Sequence, residues 1–117
     1  MAKRKRRRSG EKAPVATVDY PDADGNVLTL RESVSAGTVA KLAEPAGGPA
    51  ASAEDMWRRR GELLFERFAV RWTIAGLPLT GQKELLARYR MADQETQRWV
   101  RETIDEHLRR HQPELQP

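Results

Sequence analysis

Polar and apolar positions alternate in two short stretches near the start of the chain and then change period. Residues 15–34 read as a hairpin: Val18 and Tyr20 alternate with polar neighbours, as do Leu28 and Leu30, the period of two expected of strands with one buried face. Between them Pro21-Asp22-Ala23-Asp24-Gly25-Asn26 supplies residues that tolerate positive φ. From Ala53 to Ala75 the spacing becomes helical. On a helical wheel Trp57, Gly61, Leu64, Phe65, Phe68, Trp72 and Ala75 share one wide face, which places Trp57 in the core. Met56, Leu63, Val70 and Ile74 form a second, narrower seam. A helix with two apolar sides is a central one, covered by its own chain or by a partner.

The remaining pattern supplies shorter helices. Ser35 is placed to cap a helix over 35–44, and Pro45 follows it. The segment 45–52, PAGGPAAS, has nothing to bury and reads as a flexible linker, with Ser52 capping the long helix over 53–75. Gly76 and Pro78 are suited to end that helix. Thr80 precedes a helix over 81–91 whose inward stripe is Leu85, Leu86 and Tyr89. Asp93 caps a last helix over 94–111, with Val100, Ile104 and Leu108 along one side. Two strands alone are not stable in water. The predicted fold is therefore a single α+β domain over 14–112, an N-terminal β-hairpin packed on a cluster of three to four mostly antiparallel α-helices, followed by a tail over 113–117.

Charge changes this picture at the N-terminus. The chain carries a net +4, but residues 1–12 hold seven cations against Glu11, a balance of +6 that leaves −2 on the rest. A run such as KRKRRR repels itself and has no apolar residue to bury, so residues 1–13 are expected to be a disordered basic arm. Lys3, Arg4, Lys5, Arg6, Arg7 and Arg8 are the candidate nucleic-acid-binding residues. Against a phosphate backbone they displace counterions, and log K falls with log salt by about 0.7 to 0.9 per neutralised phosphate. The same run suits an acidic protein surface, or solubility alone. The chain has no cysteine, no apolar run near the roughly 18 residues that span a bilayer, and no apolar secretion core, all of which point to a cytoplasmic protein without membrane contact.

Catalytic signatures fail on inspection. Gly47-Gly48 leads into no Gly-Lys-Ser/Thr, and no Gly-x-Ser-x-Gly elbow occurs. His107 and His111 stand at i,i+4, but Leu108 sits where a zinc protease needs its glutamate and two arginines oppose a dication, so both read as structural. Asp22, Asp24 and Asn26 suggest calcium, yet the loop would have to start at Tyr20 and close on Arg31; turn chemistry is the better account. No catalytic residue, metal or cofactor is assigned, and the chain is not read as an enzyme. Two segments, Trp57-Arg58-Arg59-Arg60 and Arg98-Trp99-Val100-Arg101, interleave aromatics with arginine as a stacking-plus-phosphate surface does. Residues 82–111 also permit a helix-turn-helix with Gln94, Thr96, Gln97, Arg98 and Arg101 leading the second helix, although Asp93 and Glu95 would then face phosphate. The expected function is a small non-enzymatic protein attached to nucleic acid or a ribonucleoprotein through its arm. The alternative is a protein-protein interaction or assembly module, possible as a homodimer, using the seam of Met56, Leu63, Val70 and Ile74, whose first three members repeat every seven residues.

Overall fold

Two hairpins that are separated in sequence by two helices share one antiparallel sheet in the order β1-β2-β3-β4. The computed structural model describes residues 16–43 and 52–115; the basic arm, most of the 45–52 linker and the last two residues lie outside them. Strands β1 (Thr17–Pro21) and β2 (Val27–Arg31) form the expected first hairpin, in register from Thr17 opposite Arg31 to Pro21 opposite Val27. Its turn is built by Asp22, whose Oδ1 accepts the N–H groups of Asp24 and Asn26 at 2.8 and 3.0 Å, with Gly25 at φ +85°. A carboxylate occupied in this way holds the reversal together.

The long helix is shorter than its sequence pattern predicts. Helix α1 (Ala36–Ala43) is followed by α2 (Ala53–Phe68), which ends where Ala69 turns extended at φ −71°, ψ 125°. The chain passes directly into β3 (Ala69–Ile74). The sheet therefore has four strands and not only a hairpin. Val70, Thr73 and Ile74 are β-branched, and Trp72 is buried while its neighbour Arg71 is exposed, a strand's alternation. Phe68 and Trp72 stand four residues apart, a spacing compatible with both a helical turn and two strand repeats, and this coincidence extends the helical pattern too far. Ala75 and Gly76, at φ 52° and 80°, then form a two-residue turn into β4 (Leu77–Leu79). Gly76 thus serves a hairpin and not a helix end, and Pro78 lies on an edge strand, where its missing N–H is tolerated.

Helices α3 (Gln82–Met91) and α4 (Gln94–His111) complete the fold, with a short 3-10 turn at Pro113–Leu115. One sheet face buries Leu28, Leu30 and Trp72 against Leu64, Phe65 and Phe68 of α2, Leu85 and Tyr89 of α3, and Val100, Ile104 and Leu108 of α4. Phe65 stacks on Tyr89 at 4.9 Å between centroids and meets Trp72 edge-on at 5.9 Å. The other sheet face carries a polar row in which Thr29 donates to Asp19 Oδ1 at 2.6 Å and sits beside Arg71. Ser52 and Asp93 cap α2 and α4 as expected; α3 begins after Gly81, with no side-chain cap from Thr80. Among the described residues no helix is long and apolar enough to cross a membrane.

Candidate nucleic-acid interface

Every fully buried side chain of α2 lies in its C-terminal half, at Leu64, Phe65 and Phe68, so its first two turns project beyond the core. Trp57 occupies one of these turns and is 56% exposed, which corrects its expected place in the core. Arg101, from the middle of α4, lays its guanidinium 4.4 Å from the centre of the Trp57 ring, a cation–π stack. The two arginine–aromatic segments that are some forty positions apart in sequence thus meet in space. Gly61, one turn after Trp57, lies at this contact: a Cβ there would meet Arg101 Cδ at 3.8 Å and Tyr89 Oη at 3.7 Å, ordinary van der Waals distances.

The groove between α2 and α4 has a volume of about 140 Å³ and is lined by Trp57, Gly61, Leu64, Arg101, Ile104 and Asp105, with Arg60 at its edge. That volume matches a cavity known to hold one benzene ring, about 150 Å³. Burial raises the Asp105 carboxyl above its ordinary value, opposed by Arg109, Arg60 and Arg101. Arg98 lies one turn before Arg101 on α4 and has no ion-pair partner among the described residues. Two other arginines of these segments have internal tasks. Arg58 pairs with Glu54 and Asp55 at 3.5 and 3.4 Å, and Arg60 donates to the carbonyls of Leu42, at 2.9 Å, and Leu115.

The remaining sequence-derived candidates fall elsewhere. Lys3, Arg4, Lys5, Arg6, Arg7 and Arg8 lie outside the described residues. Met56, Leu63, Val70 and Ile74 do not share a helix: Met56 and Leu63 are 36% and 38% exposed on α2, while Val70 and Ile74 are half-buried in β3. The seven-residue repeat breaks because α2 ends at Phe68. In the helix-turn-helix reading, Gln97 is occupied, since its Nε2 donates to the carbonyls of Tyr89 and Arg90 at 3.0 and 3.3 Å and closes the end of α3. Trp99 is half-buried and packs against the core, so it is not the equal of Trp57.

His107 is fully buried, with both ring nitrogens engaged. Its Nε2 lies 2.8 Å from the Arg31 carbonyl and 3.1 Å from that of Glu32, so Nε2 carries the proton; Nδ1 then accepts from the Tyr20 hydroxyl at 2.6 Å. Burial raises the Tyr20 pKa and keeps that hydroxyl a donor. His111 stacks at 4.7 Å beside His107, with Nδ1 3.9 Å from Glu32. Among the described residues no group of three or more His, Cys, Asp or Glu side chains is placed to hold a metal. Comparison with protein-family models, with curated proteins and with solved structures found no match to this chain.

Proposed function

We propose that the chain is a non-enzymatic binding protein for single-stranded nucleic acid, free or within a ribonucleoprotein. The observation that carries this reading is the exposed Trp57 ring with Arg101 stacked on it at the rim of a groove sized for one ring system. A base that leaves its own stack gains about 1–3 kcal/mol on such a platform, without regard to its identity. Arg101, held by its stack, still presents N–H donors to a phosphate, and Arg98 adds a second cation one turn away. The arm, Lys3 to Arg8, supplies long-range attraction and counterion release. Stacking gives preference for an unpaired strand; the arm gives affinity that salt weakens.

The test is the affinity of intact protein and Trp57→Ala for a fluorescent uridine oligomer and for a duplex of the same length. Trp57 is largely solvent-exposed, so its removal leaves the fold intact. The expected loss is about 5- to 150-fold for the single strand, the equivalent of about 1–3 kcal/mol, and little for the duplex. Equal affinity of the two proteins for the single strand would take Trp57 out of the interface.

A further inference from the structure

A second concavity lies on another part of the molecule, where α2 passes into β3. It has a volume of about 600 Å³, within the range of about 300–1,000 Å³ typical of small-molecule sites. Arg31 and Arg67 line it, and neither has an ion-pair partner among the described residues. Ser33, Ser35, Thr38 and Thr80 add hydroxyls, and Glu66 is the one acid on its wall. The floor is apolar, formed by Val34, Ala69, Val70 and Leu85. Val70 reaches it through a β-bulge, since Thr29 pairs with Arg71 but Leu30 with Ala69, leaving Val70 as the extra residue.

The loop that carries Arg31, Ser33 and Ser35 is fastened from inside the protein. His107 Nε2 donates to the carbonyls of Arg31 and Glu32, and Gln112 Oε1 accepts the Val34 N–H at 2.8 Å. His107 and Gln112 are 0% and 7% exposed, so two buried polar side chains hold this one loop in place. Burying them costs desolvation that these hydrogen bonds offset, and the result is a wall fixed before any ligand arrives. Helices α1 and α3 begin beside the same concavity and add partial positive charge to that of the arginines.

We infer that this concavity binds a phosphate group, with Arg31 and Arg67 as its charged clamp and the Ser/Thr hydroxyls as neutral donors. Planar guanidinium forks match phosphate oxygens in pairs, and unpaired arginines across a preformed hollow suit a compact dianion. The apolar floor accommodates the body of an ester that carries the phosphate. The inference is independent of the Trp57 surface, and its test is site-resolved so that binding by the arm does not interfere.

The full-length protein, labelled with ¹⁵N, is titrated with inorganic pyrophosphate while its backbone amide signals are followed. Saturable shifts are expected at residues 33–38 and 80–82, with at least a tenfold weaker apparent affinity in Arg67→Gln and in Arg31→Gln. Both arginines are solvent-accessible and make no side-chain ion pair, so unperturbed spectra of the unliganded variants verify the fold. A parallel titration with a uridine oligomer separates the sources of phosphate. Competition with pyrophosphate for the same amides identifies a nucleic-acid backbone; absence of competition identifies a separate phosphate ester. The inference is overturned if pyrophosphate leaves these amides unmoved, or moves them in both arginine variants with the affinity it has for the intact protein.

Discussion

At His107 a single imidazole joins three parts of the fold: Tyr20 of β1, the β2–α1 loop and the core beneath α4. Burial pulls its pKa below the ordinary 6.5; hydrogen bonds to Arg31 and Glu32 oppose the shift, and neighbouring His111 adds to it. The unfolded chain therefore takes up this proton first. Stability from His107 is complete above about pH 6.5 and is lost as pH falls through the lower, folded-state value. The melting temperature should decline between pH 6.5 and 5, and His107→Gln, which keeps a donor for the loop carbonyls, should decline less steeply over that interval. A second prediction concerns Ala75, an L-residue held at φ 52°. That conformation costs about 1–2 kcal/mol, and asparagine adopts it more readily. Ala75→Asn should raise stability by about 1 kcal/mol, a melting shift of about 4–8 °C. The first hairpin turn was legible because Asp22 and Gly25 are turn residues; the second was hidden by an alanine.

Among the elements, the first hairpin and the helices α1, α3 and α4 were readable from apolar spacing and from the caps at Ser35, Ser52 and Asp93. The second hairpin was not, because helical and strand periods agree at a separation of four, and Phe68 and Trp72 fall on that separation. Consequently the apolar seam assigned to one helix was divided between α2 and β3, and the core place assigned to Trp57 went to residues nearer Phe68. The α2–α4 contact at Gly61 carries its own test. A Cβ there meets its neighbours at 3.7 and 3.8 Å, ordinary van der Waals distances, while mid-helix glycine costs roughly 0.5–1 kcal/mol relative to alanine. Gly61→Ala should therefore stabilise the protein by up to that amount in denaturant unfolding, whereas a loss would show that the helices are packed more tightly.

On the scale of the whole molecule, attraction and recognition fall to different parts. The arm carries the net positive charge, since residues 13–117 carry a net −2, and the described fold contributes an aromatic ring and a few local arginines. The sequence exposed the first contribution as a charge run. It showed the ingredients of the second, two arginine–aromatic segments, but their meeting depends on α2 crossing α4 at Gly61, which no local pattern encodes. The two contributions differ in their response to salt: stacking is nearly insensitive, and phosphate neutralisation is steeply sensitive. The most direct test is the affinity for a uridine oligomer across a salt series, comparing intact protein, Trp57→Ala, and a full-length variant with Lys3, Arg4, Lys5, Arg6, Arg7 and Arg8 all replaced by glutamine. At about 0.7 per phosphate, loss of six cations should make the slope of log K against log salt shallower by about 4, whereas Trp57→Ala should lower the line without tilting it. An unchanged slope in the glutamine variant, or no binding by the intact protein at low salt, would contradict the account.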